Sequence, residues 1–245
     1  MGAYIDYYMY LYSRLKATRI NQGVRGMIEL NDACKTYQGK FGEKAALNHI
    51  NLSIEKGEFC SVMGPSGSGK STFLHIIGCM DTLTTGSFRL DGQELTNVPL
   101  NKINAIRKKY ISYVFQNFAL MSHFTAYENV EIPLLARNIA RKERKKIIEE
   151  TLQRLGIGEV IDKLPTEMSG GQQQRVAIAR ALASDTPIIL ADEPTGALDQ
   201  ATGLELMNLL TQLNKNGKTI IIVTHDNNVA SFAKRKIEII DGVLR

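Results

Sequence analysis

The string "GPSGSGKST", residues 64–72, constrains this chain more than any other feature. It fits G-x-x-x-x-G-K-[ST] through Gly64, Gly69, Lys70 and Ser71. Glycines at that spacing let the backbone aim several N–H groups at one phosphate and form an anion nest. A helix beginning near Lys70 adds the positive end of its dipole to the same target. Lys70 brings a full charge to the β- and γ-phosphates. Ser71 offers a hydroxyl to Mg²⁺, an ion that keeps several waters and leans on phosphate oxygens. Pro65, Ser66, Gly67, Ser68 and Thr72 complete the loop. The apolar run "FCSVM" precedes it as a strand and "STFLHIIGCM" follows as a helix, the context the motif requires. ATP or GTP is the expected ligand.

The surrounding pattern is α/β. "MIELNDACKTY" opens a strand at Met27. "IILA" and "TIIIV" are short continuous apolar runs, which suit a parallel sheet buried on both faces. "SFRLDGQEL" and "IEIIDGVL" each set Asp-Gly between apolar runs, a hairpin signal. Between Phe118 and Thr186 the strand signals fade and helical periodicity takes over. That stretch reads as a helical subdomain inserted into a nucleotide-binding core. A length of 245 residues with 44% hydrophobic content allows one large domain or two small ones.

Composition narrows the function. No apolar run approaches the ~18 residues of a membrane span. The first residues lack the basic–apolar–small layout of a secretory signal. A soluble, cytoplasmic chain is expected. Cys34, Cys60 and Cys79 match no metal or disulfide framework and read as small buried hydrophobes in a reducing compartment. The net charge of +5 suggests nucleic acid, but Arg14, Lys16, Arg19 and Arg25 against Asp6 concentrate most of it in residues 1–26. The basic run "ARKERKK" precedes Ile147, Ile148, Thr151, Leu152 and Leu155, the pattern of a helix with a solvated outer face. An acidic partner surface is the other reading of that run. Residues 1–26 hold Tyr4, Tyr7, Tyr8, Tyr10 and Tyr12 and look foreign to the rest. A flexible tail or an early start, and an amphipathic segment lying on a membrane surface, both account for them.

"IILADE" sets Asp192 and Glu193 at the end of a buried strand. Ligands of open α/β sheets lie at the carboxyl ends of the strands. Asp192 can therefore reach the Mg²⁺ shell, and Glu193 can act as general base on the attacking water. His225 ends the next apolar strand in "TIIIVTHD" and is suited to hold the γ-phosphate and that water. Gln116, in "YVFQNF", leaves a strand toward the same edge and can ligate Mg²⁺ or touch the water where the helical insertion begins.

A second small-residue loop, "MSGGQ", precedes the helix "QQQRVAIARAL". Ser169 is its expected N-cap, and Gly170 and Gly171 allow close backbone approach. The ordered set "GPSGSGKST", Gln116, "MSGGQ", "IILADE", "GALD" and His225 resembles the nucleotide-binding subunit of ABC transporters over nearly all of residues 27–245. Met168 stands where the family usually has leucine, a near-isosteric swap. Ala197 replaces a common serine, and with "HIIGCMD" it resembles the macrolide-exporter and lipoprotein-release type.

The resemblance implies a P-loop NTPase fold. A RecA-like core with an antiparallel β subdomain, residues 27–116 and 187–245, carries an inserted helical subdomain at 117–186. It implies ATP and Mg²⁺, with two chains sandwiching two nucleotides. Lys70, Ser71, Gln116, Asp192, Glu193 and His225 would act in cis. Ser169, Gly170, Gly171 and Gln172 would act in trans, with Asp199 linking the sites across the interface. Tyr37 falls where the family places an adenine-stacking aromatic. The implied partner is a membrane permease at the inner face of the cell membrane, docking near Gln116 with Phe118, Phe124 and Tyr127 as anchors. An extracytoplasmic adaptor would act through that permease. The cargo would be a drug, peptide or lipoprotein, with no nucleic acid expected. A soluble ABC ATPase acting on nucleic acid or ribosomes is the competing reading, and a module that holds ATP without turnover is another.

Overall fold

The structure, a computed structural model, describes residues 26–39 and 42–245; both readings of residues 1–26 therefore fall outside it, apart from Gly26. β1 (Ile28–Gly39) and β2 (Gly42–Ile54) form a long antiparallel pair. With β4 (Thr85–Leu90) and β5 (Gln93–Glu94) they make a sheet of order β2-β1-β4-β5. β3 (Phe59–Met63), β6 (Ile111–Val114), β7 (Ile188–Asp192), β8 (Thr219–Val223), β9 (Arg235–Ile240) and β10 (Val243–Leu244) make the other, of order β10-β9-β3-β8-β7-β6. Its pairs are parallel except for the terminal β9–β10 hairpin.

Both Asp-Gly signals are turns with positive φ at each residue: Asp91 at 48° with Gly92 at 76°, and Asp241 at 50° with Gly242 at 77°. Those angles match the right-handed twist of the joined strands. The second turn also braces the phosphate loop. Gly242 N–H donates to the Ser68 carbonyl at 2.9 Å, and the Gly242 carbonyl accepts from Asn48 N–H at 2.8 Å.

The apolar strands are buried on both faces, and alternate residues serve different cores. Ile188, Leu190, Ile221 and Val223 join α1 (Lys70–Ile77) and the antiparallel sheet. Ile189, Ala191, Ile220 and Ile222 meet Leu206, Met207, Leu210 and Leu213 of α6 (Gln200–Lys215) on the opposite face. Each buried Ile, Leu, Val or Met among them stabilises the fold by roughly 1.5–3 kcal/mol. Helix α1 is shorter than its sequence run. Met80 N–H bonds to the His75 carbonyl at 2.9 Å and Cys79 N–H to Ile76 at 3.0 Å, a Schellman stop with Cys79 left-handed at φ 54°.

α2 (Leu100–Tyr110) buries Ile103 and Tyr110 on a stripe that includes half-buried Ile106, and edge strand β2 alternates buried Ile50, Leu52 and Ile54 with exposed Asn51 and Ser53. Residues 118–186 hold helices alone among their described elements: α3 (Ala126–Ala136), α4 (Arg141–Arg154), α5 (Gly170–Ala183) and two short 3₁₀ turns. α4 buries Ile148 and Leu152 and turns most of its basic run outward, with Lys145–Glu149 and Lys146–Glu150 paired at 3.7 and 3.9 Å, while half-buried Arg144 pairs with Glu131 of α3 at 2.8 Å. α5 sends Val176, Ala179 and Ala183 into the helical core and Ile178 and Ala181 into the sheet core. It therefore couples the two. Among the described residues no helix is long and apolar enough to cross a membrane.

Candidate active site

The loop between β3 and α1 needs glycine for reasons internal to the chain. Gly64 has φ 148°, and a Cβ there would lie 2.0 Å from the Ile239 carbonyl oxygen. Gly69 has φ 106°, and its Cβ would lie 2.3 Å from the Ala46 oxygen. No side chain caps α1, so its first-turn N–H groups are left for an anion. Lys70 Nζ donates to the Gly64 and Pro65 carbonyls at 2.9 and 2.7 Å, which holds the ammonium over the loop. Pro65, Ser66, Gly67 and Ser71 are exposed, Thr72 is half-buried and Ser68 is buried against the β9–β10 turn.

The strand ends converge on this loop. Burial and then the neighbouring Glu193 charge raise the Asp192 pKa, opposed by His75, a hydrogen bond from Ser71, and Lys70. Glu193 is left-handed at φ 45°, a conformation that costs an L-residue of order 1–3 kcal/mol and clusters at functional sites. Its N–H is pinned to the Val223 carbonyl at 2.9 Å. Its Oε1 meets His225 Nδ1 at 2.8 Å. The carboxylate is recessed, 13% exposed, while the imidazole stands 79% exposed beside it. That hydrogen bond and the Glu193 charge raise the His225 pKa. With Nδ1 engaged, Nε2 is left for a ligand.

The oxygen set of Ser71, Asp192 and exposed Gln116, two residues beyond β6, has the hard-donor chemistry that suits Mg²⁺. Tyr37, on β1, is 39% exposed and donates its hydroxyl to Asp81. Asp199 caps α6: its carboxylate accepts Thr202 N–H at 3.0 Å and the Thr202 hydroxyl at 2.7 Å, bonds that lower its pKa.

The second loop stands apart. Ser169 Oγ accepts Gln172 N–H at 3.2 Å and Gln172 Oε1 accepts Ser169 N–H at 3.0 Å, a capping box on α5. Among the described residues no hydrogen bond or ion pair joins residues 169–172 to residues 64–72.

Three residues that sequence reasoning passed over organise this surface. Gln174 Nε2 donates to the Pro194 carbonyl at 2.8 Å and ties α5 to the turn after Glu193. Arg180 donates to the Ala119 and Phe118 carbonyls at 2.6 and 2.7 Å, where both residues are left-handed, at φ 48° and 57°. It thereby braces the segment that follows Gln116. Asn129, fully buried, clamps residues 121–125. The available signal was a polar side chain sitting on an otherwise apolar helix stripe.

The model of the family described as "ABC transporter" matches residues 47–196 of this chain. The chain belongs to the ABC transporter family. It is 44% identical over 216 residues to the macrolide export ATP-binding/permease protein MacB of Escherichia coli (strain K12), covering 88% of this chain and 33% of that protein. Against the protein of the same name from Hyphomonas neptunium (strain ATCC 15444) it is 45% identical over 216 residues, 88% of this chain and 34% of that one. The cassette thus spans about a third of the length of these curated relatives. A solved dimer of the ATP-binding cassette MJ0796, in a post-hydrolysis state bound to ADP and Pi, superimposes with TM-score 0.86 at 46% identity, covering 89% of this chain and 97% of that one. A second dimeric structure of MJ0796, described as a bacterial ABC transporter cassette, gives the same TM-score at 47% identity, with the same coverage of both chains.

Proposed function

We propose that this cassette works as an ATP-driven homodimer whose closure powers a membrane permease that exports or extracts a drug, peptide or lipoprotein. One observation carries the dimer reading. Gly170 and Gly171 lie in helical backbone, a Cβ on Gly171 would meet nothing within 4 Å, and one on Gly170 would meet the Ala197 oxygen at 4.0 Å. Glycine in a helix costs about 0.5–1 kcal/mol relative to alanine. Among the described residues nothing requires it here, in contrast to Gly64 and Gly69. A group from outside the chain accounts for the bare backbone. The γ-phosphate of a nucleotide held by a second copy is such a group, and the dimeric state of the solved relatives supports it.

In this reading Ser169, Gly170, Gly171 and Gln172 act in trans, and Asp199 lies at the interface between the sites. Tyr37, residues 64–72, Gln116, Asp192, Glu193 and His225 act in cis. Mg²⁺ would be held by Ser71, Gln116 and Asp192, and would supply positive charge against the phosphates. Glu193 takes a proton from the attacking water as its oxygen bonds to the γ-phosphorus and the bond to the bridging oxygen breaks. Lys70 and His225 Nε2 stabilise the charge on the transferring group. ADP and phosphate remain, the contact between the copies is lost, and the dimer opens.

The permease face lies near Gln116. Met121, Phe124 and Leu135 are 55%, 41% and 48% exposed. Flanking Met121 in the chain, Leu120 and Ser122 line a depression of about 250 Å³ together with Phe118, Pro165 and Gln173 among others. Phe118 and Phe124 suit a cytoplasmic helix of the permease, whereas Tyr127 packs against the helical core. Such docking would hold the cassette at the inner face of the membrane.

Mixing two inactive variants tests the shared site. Ser169→Arg and Lys70→Ala chains should each be inactive alone. Mixed, they should recover ATPase activity, because the heterodimer rebuilds one intact site. Normal hydrolysis by either variant alone, or no recovery in a verified heterodimer, would defeat the reading.

A further inference from the structure

The ring of Tyr37 is held by a network that neither the motif set nor the proposed reaction uses. Lys35 and Tyr37 are two apart on β1 and share one face of the strand. The Tyr37 hydroxyl donates to Asp81 Oδ2 at 2.7 Å. Lys35 Nζ donates to the other oxygen of the same carboxylate, Oδ1, at 2.6 Å and to the Thr82 carbonyl at 2.8 Å. The same ammonium lies 4.8 Å from the centroid of the Tyr37 ring. Lys35 and Asp81 are 12% and 28% exposed, against 39% for Tyr37, so the supports are covered while the ring is presented.

The position of Asp81 follows from the end of α1. The Schellman stop at Cys79 turns the chain back, and Asp81 N–H bonds to the His75 carbonyl at 3.3 Å. Asp81 Oδ1 also accepts Thr82 N–H at 2.7 Å, which fixes its rotamer. Thr72, at the start of α1, is a hydrogen-bond neighbour of the Tyr37 phenol. The helix that presents its N-terminus to the phosphates therefore anchors the ring at a set distance from them. With one face of the ring under a cation and its hydroxyl tethered, the uncovered face is left to a ligand. A cation beneath an aromatic ring also draws electron density from it. That strengthens stacking of an electron-rich purine on the opposite face.

We propose that Lys35 and Asp81 are positioning residues that hold the Tyr37 ring as a preformed shelf for the nucleobase, at a register set by α1. The inference rests on the reading that Tyr37 stacks on the base.

Titration calorimetry of the full chain with Mg²⁺ and either ADP or inorganic pyrophosphate separates the two. ADP carries the base and pyrophosphate does not, and neither is hydrolysed by the proposed reaction. Tyr37→Ala should weaken ADP roughly 5- to 150-fold, the range for loss of a base–aromatic stack, and leave pyrophosphate within about 2-fold. Lys35→Met should weaken ADP about 2- to 5-fold, the lower range for a cation–π contact, with pyrophosphate unmoved and Lys35→Arg close to the parent. Asp81→Asn and Tyr37→Phe should each weaken ADP selectively, and the double variant should be no worse than the poorer single. If Tyr37→Ala leaves ADP binding intact, the stacking reading fails. If Tyr37→Ala weakens ADP while Lys35→Met, Asp81→Asn and Tyr37→Phe match the parent, stacking stands and the positioning role is overturned. Equal losses for pyrophosphate and ADP in the Lys35 and Asp81 variants would also overturn it, since they mark a general structural effect.

Discussion

Asn129 offers a direct test of how the surface beyond Gln116 is built. It lies in α3 with no exposed area. Its Oδ1 accepts Met121 N–H at 2.8 Å, and its Nδ2 faces the carbonyls of Met121, Phe124 and Thr125 at 3.2, 2.9 and 3.0 Å. An amide nitrogen has two hydrogens, so Asn129 serves at most three of these contacts at once. At about 1 kcal/mol net for each bond, Asn129→Ala should cost ~3 kcal/mol. For a domain of this size that lowers the thermal midpoint by about 6–12 °C. Urea denaturation should show a lower midpoint with an unchanged slope. Asn129→Asp should be worse than alanine, because it keeps the acceptor for Met121 N–H but turns a carboxylate toward three carbonyls. Limited proteolysis should cut within residues 117–125 of both variants before it cuts elsewhere. A loss below ~0.5 kcal/mol for alanine, or aspartate more stable than alanine, would refute the clamp and place the order of this loop elsewhere.

Three further outcomes follow from the same geometry. Glu193→Gln should keep ATP binding, lower hydrolysis by roughly 10²–10⁴-fold and accumulate an ATP-dependent dimer on gel filtration; near-normal turnover would remove Glu193 as the base. Arg180→Ala should lose about 1.5–3 kcal/mol in urea denaturation, and Arg180→Lys should recover only part, because a single ammonium does not reproduce the guanidinium fork on two carbonyls. Burial pushes the Cys60 thiol up to about 12 and the Cys79 thiol to about 11. Iodoacetamide near neutral pH should therefore label Cys34 alone in the folded protein, as read by mass spectrometry. The two raised thiols contribute stability that is fully present below the unfolded thiol pKa, about 8.5, and fades as pH rises toward the folded values. Rapid labelling of Cys60 or Cys79 without unfolding would contradict their burial.

Much of the protein was legible as sequence because its signals are local. The phosphate loop is a contiguous string whose glycines and lysine sit at fixed covalent spacing. The strands at residues 188–192 and 219–223 announce themselves as apolar runs, and both Asp-Gly turns require only two residues to adopt positive φ. Edge strand β2 and helix α2 are weaker signals only in part: β2 alternates over Ile50, Leu52 and Ile54, but its first four residues are exposed, and α2 buries just Ile103 and Tyr110 among many charges. Gln174, Arg180 and Asn129 interrupt apolar helix stripes, a signal that marks the positions but does not name their partners, which lie on other segments.

Sequence by itself determined the α/β class, the nucleotide loop and the family, all properties of residue type at short range. Tertiary structure alone decided which groups support one another. Arg180 reaches a turn 61 residues away, His225 a carboxylate 32 away, and Tyr37 an aspartate 44 away. It also decided that Gly64 and Gly69 are demanded by their own chain, whereas among the described residues nothing crowds Gly170 or Gly171. The physical reason is the same in each case. A hydrogen bond or a steric limit depends on distances of a few ångströms, and packing sets those distances between segments that the linear order leaves far apart.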